Sequence, residues 1–94
     1  VKIPWGTKIN ITLSEQELEL LSKLQSIDRP VESFSKKIGK KVIASITLED
    51  FDYFLENLSY ESHQCEDEET IDKIDALYDK FAEIEDQYEY DDDD

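Results

Sequence analysis

The chain has 94 residues, 38% hydrophobic and 37% charged, with a formal net charge of −15 at pH 7. That length supports one modest core and excludes a second, while 11% aromatic residues exclude a wholly disordered acidic chain. So strong a negative balance repels phosphate and anionic lipid, which excludes direct nucleic-acid binding and adsorption to a membrane surface.

With only two Gly and two Pro, helix is expected to dominate. Lys8-Ile9-Asn10-Ile11-Thr12-Leu13 alternates polar and apolar residues and predicts a half-buried strand. Ser14, with Glu17 three residues on, reads as a capping box. It opens a helix over about 15–26 that buries Leu20, Leu21 and Leu24 and pairs Glu19 with Lys23 on its outer side. Asp28-Arg29-Pro30 breaks the chain. A short helix near 30–38 is expected next, with Pro30 at its first position, Lys36 and Lys37 in its last turn and Gly39 as its stop. Residues 41–46 read as a second strand, and Thr47 as an N-cap with Glu49 and Asp50 in the first turn behind it.

Phe51, Phe54, Leu55 and Leu58 share one face of a helix over about 48–63. After a short acidic connection, Thr70 or a residue just before it opens a last helix over about 69–88. Ile71, Ile74, Leu77, Tyr78, Phe81, Ile84 and Tyr88 form its apolar stripe. Together these helices predict an antiparallel hairpin. Residues 1–88 are thus expected as a single small domain: a β-α-(α)-β part over 1–46, then an acidic helical hairpin over 47–88. Residues 89–94 are expected as an acidic disordered tail. The class is α+β, helix-dominated, with a small two-stranded β element and a C-terminal antiparallel helical hairpin.

The stretch Thr47-Leu48-Glu49-Asp50-Phe51-Asp52-Tyr53-Phe54-Leu55, then Ser62-His63, then Asp75-Ala76-Leu77-Tyr78-Asp79-Lys80-Phe81, carries a resemblance. Residues 45–82 resemble the C-terminal helix pair of an uncharacterised family of plasmid-borne bacterial hypothetical proteins. Shared are the threonine-leucine-acid opening, the polar-His ending of the first helix and the run from Asp75 to Tyr78. The chain departs from that pattern in having many acids and few lysines in the connecting stretch. The resemblance implies the hairpin and no activity.

Charge is split along the chain. Residues 1–43 carry eight Lys/Arg against five Asp/Glu, and residues 44–94 carry two against twenty, so balances of +3 and −18 give the total of −15. On a wheel of the last helix, Glu68, Asp72, Asp75, Asp79, Glu83 and Asp86 recur at spacings of four, three, four, four and three, opposite Ile74, Leu77 and Phe81. These six carboxylates line a narrow ridge at intervals of about 4.5–6 Å along the axis, the scale of phosphates along a nucleic-acid strand. Glu49, Asp52 and Glu56 form a second acidic row on the preceding helix, with Tyr53 and Tyr60 as exposed flanking anchors. A charged face opposite an apolar one also serves plain solvation. Solvated faces ordinarily mix signs, however, and like charges at i,i+4 cost about 0.2–0.5 kcal/mol each. Lys73 and Lys80 lie to the side of the ridge. Crowding among its carboxylates would raise their pKa values, so stability is expected to grow as pH falls from 7 towards about 5.

His63 and Cys65 are the single His and Cys, too few for a zinc site, and the acids lack calcium-loop spacing, so no metal or other cofactor is expected. The same pair has no orienting third group, and the carboxylates lie on convex faces, so no enzymatic activity is expected. His63 reads as a helix end and Trp5 as a core plug. One cysteine leaves no intramolecular disulfide, no apolar run approaches the ~20 residues of a membrane span, and the opening residues lack a signal-peptide pattern. The cytoplasm is the expected compartment. A basic protein is the expected partner, foremost a nucleic-acid-binding enzyme or regulator, for which the chain would act as a DNA mimic or an anti-restriction or anti-CRISPR-like inhibitor. The alternative is a structural, assembly or regulatory module, as a homodimer through the helical hairpin or an antitoxin-like partner, with acidity serving solubility.

Overall fold

The computed structural model describes residues 1–24, 26, 27 and 35–90. Their order is β1 (Lys2–Ile3), β2 (Ile9–Leu13), α1 (Glu15–Lys23), β3 (Ser35–Ile38), β4 (Lys41–Ile46), α2 (Leu48–Gln64), α3 (Glu68–Glu85) and β5 (Glu89–Tyr90). This is a helix-dominated α+β fold.

Alternation builds the sheet. Ile9, Ile11 and Leu13 of β2 and Val42, Ala44 and Ile46 of β4 are buried, while Asn10 and Thr12 face out. The two strands pair antiparallel, Ile9 opposite Ile46 and Leu13 opposite Val42, so all six inward residues share one face. The capping box at Ser14 forms: the Glu17 amide donates to Ser14 Oγ (3.1 Å) and the Ser14 amide to Glu17 Oε1 (2.9 Å). The expected Glu19–Lys23 pair closes at 2.9 Å. α1 stops at Lys23 rather than 26, because Leu24 turns extended (φ −78°, ψ 118°), and both Leu24 and Ile27 are buried in the core.

Ser35–Ile38 is a strand, which corrects the short helix expected near 30–38; residues 30–34 of that segment lie outside the described residues. β3 pairs antiparallel with β4, Ser35 opposite Ala44 and Ile38 opposite Lys41, so the sheet has three strands in the order β2–β4–β3. Gly39 (φ 63°) opens the two-residue turn between them. A positive-φ glycine followed by a residue of negative φ suits a type II′ hairpin as well as a helix stop. The β-branched run that follows pairs back, and that decides between the two.

The helical hairpin forms as expected. Thr47 caps α2 with its own box, the Asp50 amide donating to Thr47 Oγ1 (3.2 Å) and the Thr47 amide to Asp50 Oδ2 (3.3 Å). Asp67 caps α3, accepting from the Thr70 amide at 3.2 Å. As α2 is followed backward from Ser62 to Phe54 and Asp52, its contacts on α3 run forward from Asp75 to Phe81 and Glu85. The helices are therefore antiparallel. Phe81 stands edge-on between Phe51 and Phe54, with ring centroids 5.8 Å away in both cases. All three rings are fully buried with Leu58, Ile74 and Leu77, each contributing about 1.5–3 kcal/mol of burial.

Two expectations about the chain's ends are corrected. Glu89 and Tyr90 are part of the fold and not of a disordered tail: β5 runs parallel to β1, with Lys2 opposite Glu89 and Ile3 opposite Tyr90. Tyr88 and Tyr90 pack against the core, and that burial outweighs the local charge; residues 91–94 lie outside the described residues. Trp5 is 72% exposed rather than a core plug. It occupies the corner of a turn closed by the Thr7 amide on the Pro4 carbonyl (3.2 Å), with Gly6 at φ 85°. That is the pattern of a type II turn, whose corner side chain points outward. Among the described residues, no helix is long and apolar enough to cross a membrane.

Candidate acidic docking surface

The position of α3 is set by Ile74, Leu77 and Phe81, which face the core. With a period of 3.6 residues, that anchoring turns the opposite face outward. Glu68, Asp72, Asp75, Asp79 and Glu83 on the helix, and Asp86 as its C-cap, are all exposed. Lys80, one of the two cations in the acidic half, is turned away from them. Its Nζ donates to Glu17 Oε1 and Oε2 (2.9 and 3.1 Å) and to the Thr12 carbonyl (2.7 Å). Lys73 approaches Glu69 at 3.9 Å. Among the described residues, no ion pair neutralises any of the six ridge carboxylates.

Glu49, Asp52 and Glu56 of α2 are likewise exposed. The structure brings Asp52 and Glu56 up to α3. A cavity of about 480 Å³ on the seam between the two helices is lined by Asp52, Leu55, Glu56, Ser59 and Tyr78. Ser62 Oγ donates to Asp75 at 2.9 Å at one end of that seam, and Asp52 meets Glu85 at the other. Asp52 and Glu56 of α2 thus share one groove with Leu55, Ser59 and Tyr78, and Asp75 is the ridge residue tied to the α2 side of the seam. Glu49 stands at the first turn of α2, where its charge complements the helix dipole.

The tyrosines differ from each other. Tyr60 is 57% exposed. Tyr53 is half-buried, edge-on to Phe54 with centroids 5.5 Å apart, and packs on the core, so it is not the free aromatic anchor expected. Tyr78 lies in the groove instead. Its place in the apolar stripe concealed this, because a tyrosine at the stripe's margin can bury its ring and still reach a surface.

The field within the site is uneven. Burial opposes ionisation of Glu17, but the Ser14 amide and the Lys80 ammonium outweigh it and hold the carboxyl below its usual value. Lys23 does the same for exposed Glu19. Glu85 is pushed upward, to about 7, by burial first, then by the hydrogen-bonding and charge of the neighbouring Asp52 carboxyl and by the charge of Asp86. Glu85 is not one of the six ridge positions. It falls between the core stripe and the ridge, and only the approach of Asp52 makes it distinctive.

Lys36, Lys37, Lys40 and Lys41 are exposed on the β3–β4 hairpin. Lys37 reaches Glu15 at 3.2 Å. Lysines along an edge strand discourage pairing with another sheet. His63 Nδ1 lies 2.7 Å from the Ser59 carbonyl, one turn back, and Cys65 Sγ 3.6 Å from the Asp67 carbonyl. Among the described residues, no three His, Cys, Asp or Glu side chains converge to hold a metal ion. Comparison with protein-family models, curated proteins and solved structures returns no match.

Proposed function

We propose that the chain is a small cytoplasmic binding protein whose acidic hairpin occupies a basic, nucleic-acid-binding surface of a partner protein. In chemical terms it is a DNA-mimic inhibitor of the anti-restriction or anti-CRISPR kind. Glu68, Asp72, Asp75, Asp79, Glu83 and Asp86 stand in for phosphates, Asp52 and Glu56 extend that anionic surface across the groove, and Tyr60 supplies an exposed aromatic edge. The observation that carries this reading is the placement of Lys80. Lys80 stands three residues before Glu83, a spacing that allows a pair with the ridge, yet its ammonium serves Glu17 and the Thr12 carbonyl instead. The ridge keeps its charge at a cost to helix stability that solvation alone does not require.

Assembly through the helical hairpin is less well supported, because the apolar stripes of both helices are already buried in the chain's own core. The test is binding to a basic restriction nuclease or repressor across a salt series. Affinity is expected to fall at least about tenfold between about 50 and 200 mM salt. Replacing the six ridge carboxylates by their amides should abolish it. Salt-independent affinity, or full binding by the amide variant, overturns the proposal.

A further inference from the structure

The end of α3 gathers acid where a helix disfavours it. Glu83 and Glu85, with Asp86 as cap, stand at a last turn that contains no base, beside carbonyl groups that form the negative end of the helix dipole. Glu85 Oε2 is shut off from solvent without a hydrogen-bond partner, and the neighbouring group is the Asp52 carboxylate. Two ionised carboxylates cannot donate to one another. A single proton between them supplies the missing hydrogen bond and removes the repulsion. A cavity of about 280 Å³ opens at the same place, between Asp52 of α2, Glu85 and Asp86 of α3, and Tyr88 and Tyr90 of the closing segment.

We propose that the Asp52–Glu85 carboxyl pair is a proton-operated latch that fastens β5 across the start of α2. β5 is short: it meets β1 through two residue pairs, the Glu89 amide donates to the Val1 carbonyl, and Tyr88 and Tyr90 rest on the core. Its Tyr90 ring leans on the core, and the phenol is pushed upward by burial and then by the charge of Glu49, with Asp52 and Asp50 adding to it. The groups around the pair are thus anionic on every element: Glu49 and Asp50 from α2, Asp86 from α3, and Glu89 from β5. The nearby cations are Lys2, opposite Glu89 in the β1 register, and the Val1 amine on the Gln87 carbonyl. Neither lines the cavity. With β5 in place, Glu85 Oε2 is shut off from solvent and the carboxyl holds its proton up to about pH 7. With β5 lifted, hydration returns it towards the ordinary value of 4.5. The contribution of the proton to the closed form is therefore complete below about pH 4.5 and is lost as pH rises through about 7. The latch operates whether or not the ridge has a partner.

Amide exchange at Glu89, whose N–H donates to the Val1 carbonyl at 2.9 Å, reads the opening directly. After correction for intrinsic exchange, opening is expected to become about tenfold more frequent between about pH 5.5 and pH 8. Glu85→Gln, which keeps a donor at all pH values, should flatten the profile, and Asp52→Asn should reduce its slope. Glu66→Gln, exposed in the connection between α2 and α3 and away from the pair, should leave it as in the unaltered chain. An unaltered chain whose opening is flat over this range overturns the latch, as does a Glu85→Gln profile as steep as the original.

Discussion

Lys80 and Glu17 show how one side chain sets the sign of a surface. Their pair joins α3 to α1 at 2.9 Å, with side chains 32% and 24% exposed, so it is neither a freely solvated ion pair nor a buried one. Lys80→Ala removes that contact and the bond to the Thr12 carbonyl together. It is expected to cost about 1 kcal/mol at pH 7 in urea denaturation. Glu17 is held below its usual value, so the contribution of the pair is present above about pH 4.5 and fades as acid protonates the carboxylate. The difference between the two chains should accordingly shrink in acid. The Glu19–Lys23 pair was legible because its partners lie one turn apart. Lys80–Glu17 was not, since its residues are separated by most of the chain and meet only because α3 packs beside α1. Trp5 and Tyr53 failed for a related reason. A large amphipathic ring satisfies either a surface or a core, and its backbone setting decides which.

The β3–β4 hairpin carries the same lesson at the scale of elements. Ser35-Lys36-Lys37-Ile38 has too little periodicity to declare a strand, and Gly39 suits the end of a helix as well as the turn of a hairpin. By contrast, Thr47 to Asp50 and Ser14 to Glu17 announced their helices through caps that need only four consecutive residues. At Gly39 a Cβ would meet nothing within 4 Å, so the cost of a side chain there is conformational alone. Gly39→Ala is expected to destabilise the protein by about 1–2 kcal/mol in chemical denaturation. A cost near zero would mean that the turn relaxes to a negative φ and that the hairpin register is not pinned there.

Across the whole molecule, acid collects on the α2–α3 hairpin and base on the β3–β4 hairpin. The net charge of −15 makes self-repulsion a standing cost of folding. Added sodium chloride should therefore raise the melting temperature between about 20 and 200 mM, where the Debye length shrinks from about 20 Å to below 10 Å. A melting temperature that falls over that interval would show attractive pairs such as Lys80–Glu17 to dominate the electrostatics. The salt response of stability and that of partner binding run in opposite directions, so one set of buffers separates the two effects.

The spacing of apolar residues determined both long helices, and the same spacing fixed which of their faces is acidic, since a helix that buries Ile74, Leu77 and Phe81 has no freedom to present any other side outward. Alternation likewise determined β2 and β4. Tertiary structure alone decided that Asp52 and Glu56 line a groove with Tyr78 of α3, that Lys80 turns from the ridge to Glu17, that β5 closes on β1, and that Glu85 meets Asp52. Each of these joins residues from separate elements. Local sequence specifies the direction a side chain takes from its own backbone, whereas proximity and the low dielectric that raises a carboxyl to about 7 arise only when a second element shuts out water.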